Sequence, residues 1–196
     1  MNKFICSDHH LDHERILVLG KGRPFDNINQ MNEALITNHN AVVKPEDYVI
    51  MAGDFIFTND TVRAEKMVRR FNGHKTFVWG NHDKVLRGNN NFGFQSKVHY
   101  TEDDIDDVVN KMSRKLCVFH YPMYSWNKQR RGAWQAYGHC HGSVVPIMDA
   151  MFPGTWDIGV DNNDFKPLSY EDLAIKIRTT YKGQAEDRRH KDNVSK

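Results

Sequence analysis

Aspartate, histidine and asparagine recur at one kind of place in this chain, directly after a short apolar run. Phe4-Ile5-Cys6-Ser7 leads into Asp8-His9-His10, and Tyr48-Val49-Ile50-Met51 leads into Ala52-Gly53-Asp54. Thr76-Phe77-Val78-Trp79 is followed by Gly80-Asn81-His82-Asp83, Leu116-Cys117-Val118-Phe119 by His120, and Trp134-Gln135-Ala136-Tyr137 by Gly138-His139-Cys140-His141. Short apolar runs read as buried strands, and in open α/β sheets ligands gather beyond the carboxyl ends of strands. Carboxylate, imidazole and amide donors without a thiolate suit a borderline divalent ion such as Zn, Mn, Fe or Ni better than an all-oxygen Mg or Ca cage. In an extended segment Asp8 and His10 point the same way while His9 points elsewhere, and His139 and His141 form a second such pair around Cys140. One aspartate has two oxygens and can bridge two ions. Two ions about 3.5–4 Å apart can hold a hydroxide and clamp both the attacking and leaving oxygens of an in-line phosphoryl displacement.

These side chains need a framework of strands to carry them. Residues 4–7 open a sheet, and residues 8–22 form a polar, His-rich loop with room for a short helix. Asp26 or Asn27 caps a helix running to about Val42, with Met31, Leu35 and Val42 on one face. A second strand spans residues 48–51. A helix from Thr61 to about Phe71 follows, with Ala64, Met67, Val68 and Phe71 at i, i+3, i+4 and i+7, stopped by Asn72-Gly73. The third strand comes at once, so the order is β-α-β-α-β and a right-handed crossover sheet is expected. The second half is richer in strands: residues 98–100, 118–120, 136–139 and, as the last, 156–160. Residues 102–107, five acids and no base, read as a solvated turn. Ser169-Tyr170-Glu171-Asp172 resembles a capping box opening a helix that buries Leu173, Ala174, Ile177 and Tyr181. The reading is one domain over residues 1–181 and a polar, flexible tail over 182–196.

Composition excludes several classes. A chain of 196 residues, 39% hydrophobic, buries roughly two-thirds of its unfolded surface without needing cross-links. Its 27 basic and 25 acidic residues are mixed along the chain, so charge does not point to nucleic acid. Three cysteines, Cys6, Cys117 and Cys140, are odd in number and form no CxxC pair, which fits a reducing compartment. No run approaches the ~18 apolar residues of a spanning helix, and the amino terminus has no apolar leader, so a cytoplasmic protein without membrane attachment is expected. The oligomeric state is not legible.

Taken together and in order, Asp8-His9-His10, Gly53-Asp54, Gly80-Asn81-His82-Asp83, His120-Tyr121-Pro122 and Gly138-His139-Cys140-His141 resemble the five blocks of the calcineurin-like metallophosphoesterases. The short single-domain phosphoesterases of bacteria and their viruses are the nearest in character, since Arg23-Pro24-Phe25 and Gly159-Val160-Asp161 also look like theirs. The resemblance implies an α/β fold of two mixed sheets sandwiched between helices, an α-β-β-α four-layer sandwich with metals at the strand ends. It implies one ion held by Asp8, His10, Asp54 and His141, and another by Asp54, Asn81, His120 and His139, with manganese the favoured metal. It further implies a metal-bridging hydroxide as nucleophile and His82, unligated, as general acid. An imidazole with an ordinary pKa near 6.5 can serve in that way at neutral pH, and Asp83 is placed to orient it or raise its pKa.

Departures from the family bear on substrate. The protein-phosphatase branch follows its Gly-Asp with an Arg-Gly pair whose arginine grips the phosphoryl group, whereas here Phe55-Ile56-Phe57-Thr58 follows. A monoester carries about one more negative charge than a diester near neutral pH and gains more from such a cation. A phosphodiester, nucleotide-like and open to cyclic forms, is therefore expected, at an open site lacking the cap domain of larger nucleotidases. A nuclease, a phosphomonoesterase and a binding scaffold of the same fold are the alternatives. His13, Arg23 and Arg87 are candidate substrate-binding residues; Lys84, Arg130 and Arg131 can also reach in from loops. His9, His39, His74 and His99 read as ordinary histidines and Cys140 as a buried core thiol. The run Lys128-Gln129-Arg130-Arg131 between Trp126 and Trp134 reads as a solvated loop.

Overall fold

A computed structural model describes residues 1–19, 22–88 and 92–180. Strands β1 (Lys3–Cys6), β2 (Tyr48–Ala52) and β3 (His74–Val78) are joined by helices α1 (Ile28–Val42) and α2 (Thr61–Arg69), which gives the β-α-β-α-β order the sequence implies. The three strands pair in parallel, Lys3 opposite Tyr48 and Tyr48 opposite His74. β4 (Ser96–Val98) extends this sheet in parallel beyond β3. A second sheet contains β5 (Thr101–Asp107), β6 (Met112–Val118), β7 (Trp134–Tyr137) and, after helix α3 (Val145–Met151), β8 (Thr155–Asp157). Then β9 (Leu168–Ser169) returns antiparallel to the free edge of β1 and leads into α4 (Tyr170–Thr180). The sheet orders are β4-β3-β2-β1-β9 and β5-β6-β7-β8, both mixed.

Period-two alternation sorts the strand side chains between layers. Phe4, Cys6, Val49, Met51 and Phe77 face outward with Met31, Leu35 and Ile36 of α1 and Ala64, Met67 and Val68 of α2. Their neighbours Ile5, Ala52 and Val78 face the second sheet, meeting Leu116, Val118, Trp134 and Ala136 together with Leu173, Ala174 and Ile177 of α4. Cys117 points away from that interior, to Trp126 and Ala133.

Three helix starts carry side-chain caps, those at Asn27 and Ser169 as the sequence implies. The Asn27 side chain accepts from the Gln30 amide at 3.0 Å, and Asp60 Oδ1 accepts from Val62 and Arg63 at 2.9 and 3.0 Å. The Asp172 amide donates to Ser169 Oγ at 3.0 Å. α2 ends two residues before Phe71, because the Arg70 and Phe71 amides turn to i−3 carbonyls and tighten the final turn.

Several expectations need correction. Residues 102–107 are strand β5 rather than a turn: Ile105 and Asp107 are buried on its inner side while Asp104 pairs with Lys115 at 2.8 Å outside. Charge on an outer strand guards an exposed edge, and this is why the run looked unlike a strand. The strand expected over 98–100 is β4, ending at Val98. The strand expected over 156–160 is β8, ending at Asp157, and it is not the last. α3 was not foreseen. Tyr181 and the tail over 182–196 lie outside the described residues.

Candidate metal centre

The loops that leave β1 and β2 continue side by side past the strand ends. The Asp8, His10 and Leu11 amides donate to the carbonyls of Gly53, Asp54 and Phe55 at 3.0, 2.9 and 2.9 Å. This brings the first two acidic residues of the sequence pattern together. The Asp8–His10 segment departs from the sequence expectation, however. That segment is not extended: Asp8 and His10 have φ of +58° and +52°, and Asp54 has +52°. His139 and His141, at +70° and +46°, are in the same left-handed region, which non-glycine residues rarely occupy. Backbone strain of this kind clusters at sites where the surrounding structure fixes side-chain direction.

Two groups of donors result. One ligand atom each from Asp8, His10 and His141 can lie within 4.8 Å of one another, and the same holds for Asp54, His120 and His139. His139 and His141 therefore divide between the groups, in place of the shared direction that i, i+2 spacing suggested. Asp54 stands between them. Its Oδ1 accepts the His82 amide at 2.9 Å, while Oδ2 lies 3.6 Å from His10 Nε2, 3.4 Å from His120 Nε2 and 4.0 Å from His82 Nε2. Asn81 joins the second group, its Oδ1 3.2 Å from His120 Nε2.

Contacts behind the rings decide which nitrogen each presents. His120 Nδ1 bonds the Ala52 carbonyl at 2.8 Å, and His141 Nδ1 bonds Asp161 Oδ2 at 2.7 Å, so each ring turns Nε2 toward the centre. His10 Nδ1 meets His13 Nδ1 at 3.1 Å, and its Nε2 is buried with no hydrogen-bond partner. A buried imidazole nitrogen without a protein partner, beside Asp54 and Asp8, has the surroundings of a metal ligand. The donor set fits divalent transition ions.

Electrostatics match this arrangement. Burial pushes the Asp8 carboxyl up to about 7 against the pull of His120, His141 and the Ser7 hydroxyl. Burial lowers His10 to about 2 despite Asp54. Burial opposes ionisation of His120, but its bond to Asp54 and the charges of Asp8 and Asp54 win, raising it to about 9. Burial works to raise Asp54, yet the same His120 contact, the His82 amide and His10 hold it below the usual carboxylate range. Space is tight: a Cβ on Gly53, whose φ is +87°, would lie 2.5 Å from His120 Nδ1. A Cβ on Gly80 would run into Asp54, and one on Gly138 into Asp8.

Of the other candidates, His82 sits at the mouth, its side chain 35% exposed and its ring 5.3 Å from His10 and 5.6 Å from Phe57. Asp83 has a task different from orienting that ring. It is fully buried, and its Oδ2 accepts the Asp54 and Gly80 amides at 2.8 and 2.7 Å while Oδ1 accepts Phe55 at 2.8 Å. It ties the loop after β3 to the loop after β2. His13 is buried and stacked on Phe57 at 4.5 Å. Arg87 is exposed in a 3-10 turn after Asp83.

Arg23 is not available to a substrate. Buried, it clamps Asp161 through Nε and Nη2 at 2.8 and 2.9 Å and donates to the carbonyls of His9 and Asp8 at 2.7 and 2.6 Å. Arg23 and Asp161 thus form a brace behind Asp8 and His141, and sequence reasoning missed that role although it noted both segments. Asp157 was missed outright: its oxygens accept the Gly142 and Gly159 amides, each at 2.9 Å, and fix the loop carrying His139 and His141. Its signal was an aspartate ending a strand, the same signature as the others. Cys140 is half-buried, not part of the core.

A family model described as calcineurin-like phosphoesterase matches residues 1–166. An uncharacterised protein of Methanocaldococcus jannaschii is 29% identical over 177 residues, covering 89% of each chain. The crystal structure of a protein of unknown function from Aquifex aeolicus superposes with a TM-score of 0.63 at 22% identity, over 88% of this chain and 97% of that one. A nuclease of Pseudomonas putida aligns with a TM-score of 0.43 at 16% identity, over 71% of this chain and 61% of its own.

Proposed function

The chain belongs to the calcineurin-like phosphoesterase family, and from that premise we propose that it hydrolyses a phosphodiester, nucleotide-like and either linear or cyclic. In this reading one divalent transition ion is held by Asp8, His10, Asp54 and His141 and a second by Asp54, Asn81, His120 and His139, manganese ahead of iron, zinc and nickel. The observation that carries it is Asp54 Oδ2, within 3.6 Å of His10 Nε2 and 3.4 Å of His120 Nε2, one carboxylate oxygen facing both donor groups. When bound, such ions supply Lewis-acid activation of the attacking water and neutralise charge on the phosphoryl oxygens.

The chain's own residues supply the rest. His82 donates a proton from Nε2 to the leaving oxygen, and its position is set by its amide bond to Asp54 and by the Asp83 tie beneath it. For substrate class, two of the arginines that could grip a phosphoryl group are already engaged, while Arg87 stays exposed. Arg23 is bound to Asp161, and Arg63 is engaged with Asp12. Where a phosphatase arginine would stand, Phe55 and Ile56 are buried and Phe57 is 48% exposed beside His13 and His82. An apolar wall suits the second ester group of a diester better than the extra charge of a monoester.

Manganese-loaded protein is expected to cleave a chromogenic phosphodiester faster than the matching monoester. His82→Ala should lower kcat by roughly 10²–10⁴-fold with metal content unchanged. Inactivity of the wild-type protein with every metal and both ester types would leave a binding scaffold of this fold. A nuclease reading has one observation of its own: the exposed Phe57 and the half-buried Tyr121 flank the centre, Tyr121 lying 4.6 Å from His139, and such rings can stack unpaired bases. Digestion of single-stranded and duplex DNA and RNA at low salt separates it.

A further inference from the structure

Behind the strand-end centre, on the helix-covered face of the first sheet, lies another cluster of side chains of metal-ligating type. Cys6 at the end of β1, His9 just after it and His39 in α1 can each bring one ligand atom to within 4.8 Å of the others. All three are buried, with exposures of 0, 1 and 0%. His39 Nε2 is occupied by the Asn72 carbonyl at 3.0 Å, which leaves Nδ1 as a lone-pair donor. That Nδ1 and the Nδ1 of His9 are both buried with no hydrogen-bond partner. A buried nitrogen in that condition is costly, so two of them, in rings grouped with a buried thiol, call for an explanation. The walls offer none: Phe55 and Phe71 lie 5.1 and 5.5 Å from the His9 ring, and Phe71 lies 5.0 Å from His39.

We infer that Cys6, His9 and His39 bind a single soft metal ion, in a site separate from the paired centre. Ligand atoms around one such ion stand roughly 3.3–3.8 Å apart, so the three close onto it by rotamer-scale movement. One thiolate and two imidazoles form a set typical of copper or zinc. Copper(I) with these ligands carries no net charge, whereas zinc retains one positive charge, so a pocket walled by phenylalanine favours copper(I). On binding, the Cys6 thiol gives its proton to solvent and the sulfur bonds the metal; no electron is transferred. The ligand bond of His39 to Asn72 is the kind of outer contact that fixes a ligating ring.

The test uses the full chain, stripped of metal and reloaded with manganese. Copper(I) is then titrated without oxygen against a chromophoric competitor, and cobalt(II) serves as the zinc probe. One equivalent of copper(I) with one sulfur and two nitrogen neighbours by X-ray absorption, or a near-ultraviolet thiolate-to-cobalt band, supports the site and says which ion it takes. Cys6→Ser and His39→Gln should each weaken this binding at least ~100-fold while manganese content is kept, and Cys140→Ser should not. Absence of Cys6-dependent sulfur ligation with both ions overturns the inference. So does sulfur ligation that disappears with Cys140→Ser alone. Manganese uptake is read separately, so failure here leaves the paired centre untouched. If Cys6→Ser also loses manganese through misfolding, His39→Gln, on a different element, decides.

Discussion

Asp161 touches no candidate ion, yet it receives the Nδ1–H of His141 at 2.7 Å and both arms of Arg23. Asp161→Asn should therefore lower affinity for one ion by about 10–100-fold and spare the other, as read by manganese titration. Protons compete at three ligands. Asp8 is raised to about 7 and His120 to about 9, and at His141 burial works to lower the imidazole but its bond to Asp161 raises it, so the metal-free protein carries a proton on each at low pH. Metal entry must release all three. Affinity should then climb about tenfold per pH unit for each proton released, most steeply below about 7 and not at all above about 9. Calorimetry in buffers of different ionisation heat counts them directly. At this scale the sequence showed which residue types end the strands, because five similar endings are visible without coordinates. It did not show that Asp8, His10 and Asp54 reach their positions through left-handed backbone, since φ is imposed by the crossing loops. Nor could it reveal that Arg23 is consumed by a partner 138 positions away.

Loops, not strands, hold the donors, and Asp83 is what keeps two of them in register. Its carboxylate is the acceptor for the amides of Asp54, Phe55 and Gly80 in a fully buried spot. Asp83→Ala strands all three and should cost about 3 kcal/mol or more by urea unfolding, with Asp83→Asn retaining part of it. An account in which Asp83 acts on the His82 proton predicts the reverse: a shifted pH–rate profile and ordinary stability. The parallel core of β1, β2 and β3 with α1 and α2 was legible because apolar periodicity and caps agreed. β5 was not, since only Ile105 and Asp107 of its inner side are buried and the outer acids mask the pattern. α3 lacks a side-chain cap and spans only seven residues, so Pro146 in its first turn was its one start signal.

Across the whole molecule, the two sheets meet over one apolar interior, and both donor groups sit at the same edge of that sandwich. Far from them, Asp107 of β5 accepts from Arg114 Nε at 2.7 Å and Arg178 Nε at 2.9 Å, fastening α4 to the second sheet. Asp107→Ala leaves two guanidiniums without their anion beside Trp134 and should destabilise by about 3–5 kcal/mol while metal content stays the same. Among the described residues no helix is long and apolar enough to cross a membrane. The central claim is that one aspartate joins two ions. Diffraction from manganese-loaded crystals, recorded at the manganese absorption edge, tests it most directly. Two anomalous peaks about 3.5–4 Å apart, with the Asp54 carboxylate touching both, are predicted; a single peak, or two that do not share Asp54, would contradict it.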